Sequence, residues 1–150
     1  MRVVPAGGSV AWPNRDPFSH NVFSNTAGGS FDLGLYPRGE SRAAAFRRPG
    51  VYAIFCNIHP RMSAYVVSVP GGYYARPDRA GRWTIANVPA GRYRLRAWHE
   101  RAREQAARVI TVAASGAAPA AVTLDARGYA PQPHANKFGQ PYARAARDEY

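Results

Sequence analysis

The sequence predicts an all-β protein, and three features of the chain indicate this fold class. Glycine and proline are frequent, with 14 and 13 residues in a chain of 150. Long stretches with helical periodicity are scarce. Short apolar or alternating runs are instead separated by turn residues, which is typical of many strands joined by tight turns. The length suits one or two small domains.

The N-terminal half contains three short runs of residues that predict three β-strands. Residues 20–23 form a short run, residues 51–55 form an apolar run, and residues 64–69 form a returning run. Pro60 lies between the last two runs, and proline cannot join a regular strand ladder. The sequence therefore predicts a strand, a tight loop and a second strand over residues 51–69.

Four side chains with metal-binding chemistry lie on or near this predicted loop. Cys56, the only cysteine, is followed at three-residue spacing by His59 and Met62, and His20 lies on the earlier predicted strand. Two histidines, a cysteine and a weak axial methionine are the ligand set of a blue-copper electron-transfer centre. Copper(I) favours sulfur and copper(II) accepts imidazole, so a mixed set serves both states with little rearrangement. The pattern predicts one copper ion per chain.

Each of these side chains has a more ordinary interpretation when taken alone. A lone cysteine is usually a small buried hydrophobe, and a lone methionine commonly fills a gap. Zinc competes for cysteine and histidine, although its structural sites generally hold four such ligands and no methionine. A single cysteine also argues against a disulfide framework and a Cys-x-x-Cys redox motif. The joint occurrence of all four residues favours copper.

The segments around these residues resemble the cupredoxins, and within them the amicyanin, pseudoazurin and plastocyanin group. Residues 9–22, which read SVAWPNRDPFSHNV, are similar to the segment around the family's first histidine ligand, and residues 46–56 to the approach to its ligand loop. Cys-x-x-His-x-x-Met is the short loop pattern of amicyanin. The resemblance implies a Greek-key β-sandwich over residues 1–70 that lacks its first strand. It also implies a type 1 (blue) centre cycling between Cu(II) and Cu(I).

The resemblance also implies roles for neighbouring residues. Asn21 is expected to tie its strand to the ligand loop near Asn57, with its backbone N–H directed at the Cys56 sulfur. Such outer contacts orient ligands and tune the reduction potential; an ordinary turn or strand-edge position is the alternative for Asn21. A docking surface is expected around the edge of the His59 ring. Its members would be Pro17, Phe18 and Pro60, with Arg15 and Arg61 at the rim or simply solvated.

Pro70-Gly71-Gly72 marks a predicted boundary, after which residues 73–126 form a second β module. Runs at residues 83–85, 93–98, 109–112 and 121–124 predict its strands. Residues 78–95 resemble the carboxypeptidase regulatory-like or transthyretin-like module. A cupredoxin followed by such a module looks like proteins named for methylamine utilisation. This part predicts a small β-sandwich-like domain without catalytic residues.

Residues 127–150 form a predicted tail that is rich in proline, glycine and aromatic residues. Chain of this composition is extended and poorly suited to a packed core of its own. Tyr129, Phe138 and Tyr142 could nevertheless anchor the tail across the sandwich surface.

The net charge of +11 favours an acidic partner through electrostatic steering. Of the 20 lysine and arginine residues, 19 are arginine. These arginines are scattered and lack the motifs of nucleic-acid-binding proteins, so no nucleic-acid partner is predicted. No apolar run approaches the roughly 20 residues of a membrane span. Cupredoxins usually work in the periplasm or elsewhere outside the cytoplasm. The same location is expected here, with the chain beginning downstream of a leader.

The function predicted from these features is electron transfer to and from a redox protein, without enzymatic activity. Two alternatives stay open on the sequence alone. A copper-binding or copper-delivery protein would use the same ligands, and a metal-free interaction module would use the β domains only.

Overall fold

The structure, a computed structural model, describes residues 1–102, 104–117, 119–131 and 133–142. The prediction of an all-β protein is confirmed, because the described residues form strands, turns and loops and no helix. None of the described residues therefore belongs to a helix that could cross a membrane. Two compact units are present: one comprises Met1–Gly72 with Gln132–Tyr150, and the other Tyr73–Pro131. Residues 143–150 of the predicted tail lie outside the described residues.

Seven strands in two sheets build the first unit. They are β1 (Arg2–Pro5), β2 (Ser9–Pro13), β3 (His20–Ser24), β4 (Phe31–Tyr36), β5 (Ser41–Ala45), β6 (Gly50–Cys56) and β7 (Ser63–Val69). The larger sheet has the order β1-β7-β6-β3-β4, and β2 pairs with β5 in the smaller one. β1 runs parallel to β7, whereas the other pairs are antiparallel. The strands predicted at residues 20–23, 51–55 and 64–69 are present as β3, β6 and β7.

Side chains from both sheets form the core of this unit. Along β6 the buried residues are Tyr52, Ile54 and Cys56, which share one face because side chains alternate along a strand. Tyr52 and Ile54 belong to the buried cluster, and Val10 and Trp12 of β2 pack against that cluster. Cys56 therefore lies at the end of a strand whose inward face is held by apolar burial.

β3 is buried along its whole length. Val22 joins the core on one face. On the opposite face the ring of Phe23 lies 5.9 Å from that of Phe55 and 6.4 Å from that of His134. Residues 133–142 thus cover the outer face of the β3–β6 pair, which explains how a strand of a small sandwich comes to be buried on both sides.

The second unit contains one described sheet of three antiparallel strands. They are β8 (Gly91–Ala97), β9 (Ala106–Ala113) and β10 (Gly116–Ala117), in the order β10-β9-β8. The runs at residues 93–98 and 109–112 correspond to β8 and β9. The strands predicted at residues 83–85 and 121–124 are wrong. An alternating run becomes a strand only where a neighbouring chain accepts its backbone hydrogen bonds, and none of the described strands pairs with these two runs.

Candidate metal centre

His20, Cys56 and His59 each offer one potential ligand atom, and these atoms all lie within 4.8 Å of one another. The Sγ atom of Cys56 is 3.9 Å from Nδ1 of His20 and 3.3 Å from Nδ1 of His59. Sulfur and nitrogen ligands of one tetrahedral ion, bound at about 2.0 to 2.3 Å, lie about 3.6 Å apart. The two observed sulfur–nitrogen separations bracket this value, so each imidazole lies at a distance from the thiol that suits ligands of one metal ion.

Strand pairing explains why His20 and Cys56 meet. Val22 of β3 pairs with Cys56 of β6, and His20 lies two residues from Val22 on the same face. Cys56 is 0% exposed and His20 is 6% exposed. The thiol and the first imidazole are therefore enclosed by the sandwich, whereas His59 is only half-buried.

A closed loop brings His59 next to Cys56. The backbone N–H of Met62 donates to the carbonyl of His59 at 3.0 Å, and the N–H of Cys56 donates to the carbonyl of Met62 at 3.3 Å. The Met62 side chain is 40% exposed. Its backbone thus belongs to the same tight loop, and its role as the fourth ligand stays a prediction.

The carboxylate of Asp16 orients the ring of His20. The Oδ2 atom of Asp16 lies 2.7 Å from Nε2 of His20. A carboxylate at this distance accepts the Nε2 proton, which leaves the lone pair of Nδ1 free for a metal. Asp16 is itself positioned by the buried Asn14, whose Oδ1 accepts the Asp16 backbone N–H at 3.0 Å. Sequence reasoning missed both residues, although a carboxylate four positions before the histidine was a readable signal.

The side chains of Asn21 and Asn57 have separate hydrogen-bond partners. The amide of Asn21 donates to Oδ1 of Asp32 at 2.6 Å, and Oδ1 of Asn57 accepts the backbone N–H of Lys137 at 2.9 Å. Lys137 closes the connection, because its Nζ donates to Oδ2 of Asp32 at 2.7 Å. The expected contact of the Asn21 N–H with the Cys56 sulfur stays a prediction.

Asp32 lies at the centre of this network and responds to it electrostatically. Partial burial raises the pKa of its carboxyl. Hydrogen bonds from Lys137, Asn21 and the Gly34 backbone outweigh that effect and hold the pKa below the usual 3.8. Asp32 is therefore ionised at neutral pH and can accept hydrogen bonds from all three donors. Sequence reasoning did not single out Asp32 or Lys137.

Of the predicted docking residues, Phe18 lies against both histidine rings. Phe18 is 40% exposed, and its ring lies 5.2 Å from that of His20 and 5.3 Å from that of His59. Pro17, Arg15 and Arg61 are exposed, and Pro60 is half-buried. Ile58 is 47% exposed and was missed, although it directly precedes His59. An exposed aromatic ring thus lies beside the candidate centre, and the wider docking surface stays a prediction.

Comparisons with known proteins found likenesses among solved structures, while no protein-family model and no curated protein matches the chain. The chain is similar to a purple cupredoxin from Nitrosopumilus maritimus, with 28% identity, coverage of 45% of this chain and 76% of that chain, and a TM-score of 0.42. An oxidized amicyanin mutant shows 28% identity, coverage of 45% and 68%, and a TM-score of 0.42. A copper-containing nitrite reductase from Thermus scotoductus shows 26% identity, coverage of 45% and 18%, and a TM-score of 0.41. These TM-scores are low, and the donor atoms of the site itself indicate its chemistry.

Proposed function

We propose that the first unit binds one copper ion through His20, Cys56, His59 and Met62 and carries single electrons. The observation that supports this proposal is the convergence of one thiol and two imidazoles within 4.8 Å. These donors come from two strands and a loop that the core and the strand ladder hold in place.

The donor set favours copper over zinc. Structural zinc sites generally hold four cysteine or histidine ligands. Among the described residues, the cluster at this site offers three, and the only cysteine of the chain is already one of them. The next donor on the same loop is the thioether of Met62, a soft ligand that suits copper.

Bound copper would supply one-electron chemistry between Cu(II) and Cu(I). The residues of the chain would keep the ligands in place and exclude water during this change. Asp16 holds the His20 ring at 2.7 Å, and burial shields the Cys56 thiol. A ligand set that is fixed beforehand needs little rearrangement on oxidation or reduction, which favours fast exchange.

His59 would be the ligand through which electrons enter and leave. It is more exposed than His20 or Cys56 and lies against the exposed ring of Phe18. Arg15 and Arg61 are exposed near these residues in sequence, and the net charge of +11 favours an acidic redox protein as partner. We also propose an extracytoplasmic location, because the sequence resembles cupredoxins, which usually work there. The four proposed ligands would fill the coordination positions of the ion and leave none open for a substrate. We therefore propose an electron carrier and not an enzyme.

Titration of the full chain with Cu(II), followed by visible and electron-paramagnetic-resonance spectroscopy, tests this proposal. We expect an intense thiolate-to-copper band with narrow copper hyperfine splitting that saturates at one ion per chain. Cys56→Ser and His59→Gln should abolish the band. His99→Gln, which changes an exposed histidine of the second unit, should keep it. A folded protein without the band, or a Cys56→Ser variant that stays blue, would refute the proposal.

Copper delivery is a second candidate, favoured by the 40% exposure of the Met62 side chain. An ion with one accessible ligand can be passed to an acceptor by ligand exchange. Reversible and rapid electron exchange with a redox protein would support the carrier. Transfer of copper to an acceptor chelate on the same timescale would support delivery. Folded protein that takes up no copper would support the metal-free interaction module.

A further inference from the structure

We propose that residues 133–142, which we call the C-terminal clasp, hold the ligand loop against the sheet, with Tyr142 and Lys137 as positioning residues of the metal centre. The inference rests on the proposed function for the ion that the loop would hold. The contacts that carry it are contacts of the chain itself.

The first contact joins the clasp to the backbone of the ligand cysteine. The hydroxyl of Tyr142 donates to the carbonyl of Cys56 at 2.6 Å, which is within the range of a good O–H···O hydrogen bond. The N–H of Cys56 donates to Met62, so both backbone polar groups of the cysteine are engaged. A phenol is protonated at neutral pH, so the Tyr142 hydroxyl acts as the donor in this hydrogen bond.

The second contact orients that phenol. The ring of His134 stacks on Phe55 with a centroid distance of 4.2 Å and an interplanar angle of 19°. Its Nδ1 lies 3.3 Å from the Tyr142 hydroxyl. The phenolic proton goes to Cys56, so Nδ1 is the donor to the phenolic oxygen, a role that its 3.0 Å distance from the Ala135 carbonyl also favours.

The other nitrogen of His134 shows that packing alone does not favour a histidine here. Nε2 is buried and has no hydrogen-bond partner among the described residues, and an unsatisfied buried polar atom lowers stability. An apolar ring would stack on Phe55 without that cost. The hydrogen bond to Tyr142 gives the imidazole a specific role, which is to hold the phenol in line with the Cys56 carbonyl.

The third set of contacts runs through Lys137. Its backbone N–H donates to Asn57 at 2.9 Å, and its Nζ donates to Asp32 at 2.7 Å. Asp32 in turn accepts the amide of Asn21 at 2.6 Å. Asn57 follows the ligand Cys56 and Asn21 follows the ligand His20, so one lysine connects the residues after both buried ligands.

These contacts act together on the ligand loop. The clasp contacts the residue before Cys56, Cys56 itself and the residue after it, through Phe55, the carbonyl and Asn57. A loop held at three successive residues opens less often. The clasp would therefore slow copper release and preserve the ligand geometry between oxidation states.

Tyr142→Phe in the full chain is the direct test, since it removes the hydroxyl and keeps the ring. Tyr93→Phe is the matched control, because it removes a tyrosine hydroxyl bonded to the Pro89 carbonyl at 3.0 Å in the second unit. Two quantities are measured: amide hydrogen exchange at Cys56 and Met62 in metal-free protein, and the rate of copper loss to a chelator from loaded protein. Tyr142→Phe should raise both by about fivefold, the effect of losing one net hydrogen bond. Protection of the β1–β7 core amides should not change.

A second variant and a third readout separate positioning from general destabilisation. Lys137→Met removes the bond to Asp32 and should raise loop exchange in the same direction. The reduction potential of copper-loaded Tyr142→Phe should differ from that of the parent, whereas Tyr93→Phe should match the parent.

The outcomes distinguish this inference from the proposed function. Loop exchange that is equal in Tyr142→Phe and Tyr93→Phe would overturn the clasp, whether or not copper binds. Faster loop exchange with unchanged copper loss and potential would overturn its role at the metal centre. Absence of copper from every version would overturn the proposed function, and loop exchange in metal-free protein would still decide whether the clasp holds the loop.

Discussion

Replacing Asp16 tests how the chain orients the first histidine ligand. Asp16→Ala removes the carboxylate that accepts the Nε2 proton of His20 at 2.7 Å. The ring would then be free to place its proton on either nitrogen. Protonation at Nδ1 would block the atom that lies 3.9 Å from the Cys56 sulfur. We therefore expect weaker copper binding without loss of the fold.

The size of the effect follows from the geometry. A distance of 2.7 Å is that of a charge-assisted hydrogen bond. Loss of a carboxylate behind a ligand histidine typically lowers metal affinity by about 10-fold to 100-fold. The Asp16 side chain is 57% exposed, so water can replace part of the interaction. We therefore expect the smaller loss of copper affinity, about tenfold, which corresponds to about 1.4 kcal/mol of binding free energy.

The assay is a competition titration of copper against a chelator, with nitrogen NMR of the His20 ring in metal-free protein. Asp16→Ala should show a mixture of tautomers, and Asp16→Asn, which keeps an acceptor oxygen, should recover part of the affinity. Asp78→Asn is the matched control, because it changes an exposed aspartate of the second unit that pairs with Arg82. Equal affinities in Asp16→Ala and the parent, with one unchanged tautomer, would refute the reasoning.

Three further predictions concern the axial ligand, the core and the acid response. Met62→Leu should leave a coloured site with a changed redox midpoint in voltammetry; an unchanged midpoint would show that Met62 is not a ligand. Phe46→Ala, at a core position that is 1% exposed, should lower the free energy of unfolding in urea by about 3 to 5 kcal/mol; a loss below about 1 kcal/mol would mean that the core repacks. The pKa of Asp32 is lowered in the folded state, so its stabilising contribution is present above about pH 4 and is lost as pH falls through the folded pKa. The difference in unfolding free energy between the parent and Asp32→Asn should therefore shrink from about pH 6 to about pH 2, and a difference independent of pH would contradict the assigned network.

Local patterns were sufficient for the three strands that carry or flank the candidate centre. β3, β6 and β7 lie where the apolar runs predict them, because alternation and turn residues report on a strand and its own neighbours. Cys56 ends β6, and His59 and Met62 had to lie on the loop after it for the same reason. In the second unit the same reasoning overcounted, since the runs at residues 83–85 and 121–124 pair with no described strand.

The sequence by itself determined the all-β class, the position of the ligand loop and the chemical identity of the candidate donors. Each of these depends on residue type and short spacing, which a chain carries before it folds. Tertiary structure alone decided which groups from distant parts of the chain contact those donors and their neighbours. Tyr142 reaches Cys56 across 86 residues and Lys137 reaches Asn57 across 80. Contacts over such separations depend on how the sheets pack and where the chain returns, and no local periodicity encodes them.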